Sequence, residues 1–341
     1  MTATLAHRGE RTSAPTFGRL LATELRRLAA RRFARVIVGV CVLGYLVAAI
    51  VLWQTHSVET PADVAQATAQ RDTQIAQISD SVATCLKAPG GSAQQCGSAP
   101  TAAEFPVDQF LANDPFLPSQ VNVYTFAVGA AVALAGFALG ATFIGAEWSS
   151  KNVVAWLFYE PRRLRLMSAK LLALLSTTLA LSVLAQLIWA FTARLLIAHR
   201  GVPVSTLGAD AGHFWSDVFD VQVRGALLVV PAALLGFGIA NLIRNTAAAF
   251  GAAFVYFAIV ESALRSISPA TQPYLFTTGL QAWVSGGGID VYGAPVYNQQ
   301  QGSVELAVTH VSNLHGGLLL LAYAAVLLAI SLLLFRRRDI S

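Results

Sequence analysis

The sequence predicts an all-α integral membrane fold with six transmembrane helices, and three observations predict it. Apolar residues make up 55% of the 341-residue chain and charged residues only 12%, against about a quarter charged in ordinary soluble domains. Six apolar runs, at about 36–53, 122–145, 167–198, 225–243, 246–264 and 316–335, are long enough to cross a hydrocarbon core of roughly 30 Å as helices. Lysine and arginine are also shared unevenly between alternate connections. The runs are continuous rather than alternating, which favours helices over a barrel.

The stretch before the first span, 1–35, is an N-terminal arm. Its segment "TFGRLLATELRRLAARRF" places Phe17, Leu20, Leu21, Leu25 and Leu28 on one side and Arg19, Arg26, Arg27 and Arg31 largely on the others. An amphipathic helix lying at the membrane interface accounts for this pattern, its arginines reaching anionic headgroups. A plain basic arm is the competing reading. The first span, "VIVGVCVLGYLVAAIVLW", carries Cys41 as a buried apolar side chain.

The connection at 54–120 is too long for a simple hairpin. Thr60, Pro61 and Asp63 form a helix start, and Val64, Ala67, Ile75, Ile78 and Val82 follow at spacings that share one helical face. Cys85 and Cys96 flank "LKAPGGSAQQ". A disulfide there would contribute about 3 kcal/mol in the chain-entropy model; two free thiols are the alternative. The expectation is a helical extracellular insertion, against a flexible spacer.

Orientation follows from the basic residues. With both termini in the cytoplasm, 17 Lys or Arg fall inside and 5 in the outer connections, with Arg194 near the outer end of the third span. The positive-inside rule supports that orientation, in the cell (cytoplasmic) membrane. The formal charge of +5 therefore needs no nucleic-acid partner. About 35 residues precede the first apolar run without a small-residue cleavage site, which argues against a signal peptide.

Chemistry-bearing motifs are absent. There is no GxxxxGK[ST], HExxH, CxxC pair or GxSxG, so no catalytic residue, metal or bound cofactor is expected, and the chain is not expected to be an enzyme. His310 and His315 fit interfacial polar residues better than metal ligands. Gly136 and Gly140 lie four apart on one face of the second span, with Ala133 a turn earlier, so another helix can pack closely there. Pro231, Gly236 and Gly238 interrupt the fourth span. Glu261 and Arg265, near the outer end of the fifth, are spaced for an i,i+4 pair. Either they snorkel to the interface or the acid has a function.

The connection at 146–166 is the most elaborate polar stretch. It holds Glu147 and Trp148 at the membrane exit, "SSKN", an amphipathic "VVAWLFY" and then "EPRRLRLMSAK". Surplus aromatic and charged residues favour a contact surface over a simple turn, the alternative being an interface loop held only by lipid.

"GAEWSSKNVVAWLFYEPRRLRLMSAKLLAL" resembles the cytoplasmic connection of bacterial ABC transporter permeases of the type-2 exporter class, "GIANLIRNTAAAF" resembles their turn between the fourth and fifth spans, and "LLLFRRRDI" their C-terminal ending. The resemblance covers nearly the whole chain except 54–120, which is larger than in many members. It implies a permease domain over 36–341, paired with a second permease copy in a homodimer or related heterodimer and driven by a separate cytoplasmic ATPase subunit that uses ATP and Mg. It further implies an ATPase-coupling segment that begins at Glu147, Trp148, Ser149, Ser150 and Lys151, passes Trp156 and Phe158, and closes at Tyr159, Glu160, Pro161, Arg162 and Arg163. The N-terminal helix would match the family's interfacial connecting helix, and "TQPYLFTTGLQAW" its short re-entrant helices. The cargo would be an amphipathic or hydrophobic drug, antibiotic, lipid or similar substrate. An ion-gradient-driven secondary transporter is the alternative, and a membrane-embedded enzyme or scaffold a more distant one.

Overall fold

The computed structural model describes residues 16–90, 92–111, 114–150, 162–298 and 303–337. Six helical segments are long and apolar enough to cross a membrane: Arg32–Thr55, Pro118–Ser149, Arg163–Arg200, Phe214–Ile243, Thr246–Ile267 and Asn313–Arg337. They contain the six apolar runs and extend most of them by a turn or more, because the flanking polar residues continue the helical hydrogen bonding. The chain is a mostly helical, multi-pass membrane protein.

In chain order the elements are α1 (Phe17–Ala30), α2 (Arg32–Thr55), α3 (Pro61–Lys87), α4 (Ala93–Cys96), α5 (Pro118–Ser149) and α6 (Arg163–Arg200). They are followed by α7 (Phe214–Leu227), α8 (Val229–Ile243), α9 (Thr246–Val255), α10 (Glu261–Ile267), α11 (Phe276–Val284), strands β1 (Ile289–Asn298) and β2 (Ser303–Val311), and α12 (Asn313–Arg337). A π-helical turn, Tyr256–Val260, joins α9 to α10 within the fifth span.

Two compact units make up the chain. One comprises Met1–Gly44, Asn122–Trp189 and Trp215–Ser341. Its core is centred on Leu139, Phe143, Ile144, Leu174, Ala233 and Phe237, with Phe335 of α12 packed among them. Here α5 and α8 approach at backbone distance. A Cβ on Gly140 would collide with the Ala233 carbonyl, one on Gly136 with the Val229 side chain, and one on Gly236 with the Phe137 carbonyl. The small-residue face expected at Gly136 and Gly140 is thus a helix crossing, with Gly236 as its counterpart. The α8–α9 turn uses Arg244 in the left-handed region (φ 60°). The Asn245 side chain then caps α9 by accepting from Ala248 N–H at 3.0 Å.

The second unit comprises Tyr45–Val121 and Ala190–Phe214. Thr60 and Asp63 close a full capping box at the start of α3, with Pro61 in its first turn. Cys85 and Cys96 form a disulfide with Cα atoms 5.7 Å apart. Phe116 is fully buried and pairs through its backbone with Arg200 and Val202.

The all-α expectation needs one correction. Strands β1 (Ile289–Asn298) and β2 (Ser303–Val311) pair as a two-stranded antiparallel hairpin whose register shifts between Tyr292 and Pro295. Val291 and Val311 anchor it against Ala282 of α11. The stretch expected to form re-entrant helices supplies a 3-10 helix, Pro269–Tyr274, and one short α-helix, α11, which packs on α12 where Gly279 faces Gly316 and Trp283 lies over Gly317.

Candidate functional site

Charged side chains converge where α1, the end of α5 and the beginning of α6 meet. On α1 the buried residues are Leu20, Glu24 and Leu28, an i,i+4 stripe whose middle member is a carboxylate. Leu20 packs against Leu166 and Ala169, and Leu28 joins the main core. Leu20 and Leu28 of the expected apolar face are therefore packed against protein with Glu24 between them, while Phe17, Leu21 and Leu25 are only partly buried.

Lys170 enters from the third turn of α6, with its Nζ 2.7 Å from Glu24 Oε2 and 2.9 Å from both oxygens of Glu147. Arg31 Nη2 donates to Glu147 Oε1 at 2.7 Å, and its Nη1 to the Thr142 carbonyl at 3.0 Å. Arg27 Nη1 donates to Glu24 Oε1 at 2.9 Å. The Phe143 ring lies 4.9 Å from the Arg31 guanidinium and 5.1 Å from the Lys170 ammonium. The side chains of Lys170 and Glu24 are 1% and 0% exposed. Two carboxylates are thus met by three cations, of which Lys170 is shut off from water while Arg27 and Arg31 stay partly exposed.

Such a network adds little net stability over an apolar core, but it holds one geometry, because displacing any member strands the others. Movement of α5 or α6 at this point must carry α1 with it.

A second polar joint adjoins the first. Trp148 Nε1 donates to Asn241 Oδ1 at 2.9 Å, and Asn241 Nδ2 donates to Ser331 Oγ at 2.8 Å. The Arg244 guanidinium stacks 4.5 Å from the Trp148 ring, and Phe335 meets that ring edge-on at 5.9 Å. The end of α5 is thereby tied to α8, the α8–α9 turn and α12. Arg163 adds donors to the carbonyls of Phe335 and Arg336, at 3.3 and 3.4 Å, a favourable place for a cation at a helix C-terminus.

Of the expected coupling residues, Glu147 and Trp148 are therefore anchors packed within the chain. Ser149 and Ser150 are exposed beyond them, their hydroxyls donating to the Ala146 carbonyl at 3.1 and 2.8 Å. Arg162 is exposed and Arg163 half-buried. Lys151, Trp156, Phe158, Tyr159, Glu160 and Pro161 lie outside the described residues.

Sequence reasoning missed Glu24, Arg31, Asn241 and Ser331 as site residues. A signal existed for Glu24, an acid spaced four residues from leucines on both sides. Lys170 gave another as a lone cation inside an apolar run, the kind of residue that needs a buried partner.

Glu261 does not snorkel. Its residue surface is 2% exposed, and Oε1 accepts from the Thr277 N–H at 2.8 Å and from the Thr277 hydroxyl, while Arg265 lies 3.7 Å away. Across the hairpin, His310 Nδ1 is 2.8 Å from Asp290. Among the described residues no group of His, Cys, Asp and Glu is placed to hold a metal ion.

Compared with known proteins, the chain matches no protein-family model, and no curated protein matches it in sequence. The functional reading accordingly stands on residues and geometry.

Proposed function

We propose that the chain is the transmembrane permease subunit of an ATP-driven ABC exporter in the cell membrane, with both termini cytoplasmic. It moves an amphipathic or hydrophobic cargo and uses a separate ATPase subunit. The observation that carries this reading is the buried network of Glu24, Lys170, Glu147 and Arg31. It fastens together the pre-span helix and both ends of the connection whose residues resemble the family's ATPase-coupling segment. A force delivered to that connection would reach the second span, the third span and α1 together. The first and fifth spans bury only 6% and 11% of their apolar windows within the chain, which leaves apolar faces for lipid and for a second permease copy.

The reading is tested with a photo-crosslinking residue placed at Ser150 in cells. A covalent adduct with a phosphate-loop ATPase supports it, with the same probe at Val308 of the hairpin as the control that gives none. Absence of that adduct from Ser149, Ser150 and Arg162 alike would remove the docking assignment. One observation favours the ion-driven carrier as a rival: Glu261 is an ionisable side chain buried within an apolar span.

A further inference from the structure

Glu261 is a second buried carboxylate, set apart from the α1–α5–α6 network and paired with one cation, Arg265, at 3.7 Å. It opens α10, immediately after the π-helical turn and about 9 Å inside the end of the fifth span at Ile267. Oε1 receives the Thr277 N–H and hydroxyl and so fastens the first turn of α11. Oε2 is fully buried and has no hydrogen-bond partner among the described residues. Arg265 directs its Nη2 to the Thr277 and Thr278 hydroxyls at 2.7 and 3.3 Å and stands 3.7 Å from Oε1. It is a neighbouring charge rather than a hydrogen-bond partner for Oε2.

Aromatic rings are gathered in the same region. Tyr256 and Phe257 of the π turn are 5.2 Å apart, Phe257 lies 5.4 Å from Phe276 of α11, and Phe276 lies 6.2 Å from Tyr323 of α12. Phe257 and Tyr323 are 40% and 39% exposed, so the ring cluster opens outward from the chain. A π turn inserts one extra residue and displaces the following helix face by about 100°, which sets Glu261 beside α11 rather than along the face of α9.

We propose that Glu261 and the rings of Tyr256, Phe257, Phe276 and Tyr323 form a binding site for a hydrophobic organic cation. An ionised carboxylate only accepts, so the group that satisfies Oε2 must donate a hydrogen bond or carry positive charge. Ring faces favour that same charge, and the apolar surroundings favour a greasy substituent. A hard metal ion is a poor fit, since it needs several oxygen ligands and no metal-holding cluster exists among the described residues. A proton on Oε2 is the rival occupant, and a lack of saturable cation binding would favour it. The inference deepens the export reading by naming its cargo class.

The test is equilibrium dialysis of tetraphenylphosphonium against the purified full-length chain in nanodiscs, without nucleotide or ATPase. The expected result is saturable binding, weakened about tenfold or more by Glu261→Gln and several-fold by Phe257→Leu, with the neutral triphenylphosphine oxide bound weakly and equally by all. Should Glu261→Gln fail to fold, the double variant Phe257→Leu/Tyr323→Leu decides, because it keeps both residues of the Glu261–Thr277 contact. The site is overturned if wild type shows no saturable binding, if the variants bind like wild type, or if the neutral compound binds as tightly as the cation. Because no ATPase takes part, this result is independent of whether the chain serves an ATP-driven exporter.

Discussion

The ammonium of Lys170 lies 2.7 Å from the carboxylate of Glu24 across a sequence separation of 146 residues. Neither side chain is more than 1% exposed. This pair and the adjoining Glu147–Arg31 pair at 2.7 Å make α1 part of the membrane-exit joint rather than a separate surface arm.

Removing the central cation should be costly. Lys170→Met leaves Glu24 and Glu147 buried without their shared partner, and a loss of about 3–5 kcal/mol is expected. It should read as a lower unfolding temperature in detergent. The double variant Glu24→Leu/Lys170→Met should recover part of that loss, since it removes a charge of each sign. Additive losses in the double variant would show that the two groups do not stabilise each other.

The α5–α8 crossing makes a steric prediction. Gly140→Val must push against the Ala233 carbonyl and the Phe237 N–H, and overpacking of this kind costs about 1–3 kcal/mol. Gly39→Val, where a Cβ meets nothing within 4 Å, serves as the control and should leave the melting temperature nearly unchanged.

The sequence displayed its membrane architecture openly because a spanning helix needs a long run of apolar residues and little else. Thr60, Pro61 and Asp63 likewise announced the start of α3, since capping is local chemistry. What lay hidden depended on distant partners. Glu24 looked like part of a polar surface until Lys170 paired with it. Glu261 looked like half of a surface pair until α11 placed Thr277 against it. The hairpin escaped notice because its alternation breaks at the shift between Tyr292 and Pro295, and because Tyr292, Tyr297, Val304, Leu306 and Val308 are all exposed, so no buried face marks the period.

The disulfide predicts a protection pattern. On intact cells without reductant, Cys85 and Cys96 should resist a membrane-impermeant maleimide, and reductant should expose both. Replacing the pair with serine should lower the stability of the α3–α4 loop by about 3 kcal/mol at most, read by its susceptibility to limited proteolysis. Labelling without reductant would mean that the thiols are free in the cell.

Asp63 gives a pH dependence. Hydrogen bonds from the Thr60 hydroxyl and then the Thr60 backbone hold its carboxyl below the ordinary 3.8. A depressed carboxylate contributes stability that is complete above the ordinary value and fades as pH falls through the lowered one. Amide exchange at the start of α3 should therefore be slow near neutrality and quicken, beyond its intrinsic pH trend, only in acid. Thr60→Ala should move the carboxyl midpoint upward by NMR titration; an unmoved midpoint would show that the capping box is not formed in solution.

The most direct measurement is affinity purification of the chain in gentle detergent from its native host, followed by mass spectrometry of what accompanies it. The account predicts a phosphate-loop ATPase in near-equal amount. A chain that emerges reproducibly alone, and still moves cargo in liposomes on an ion gradient without ATP, would contradict it.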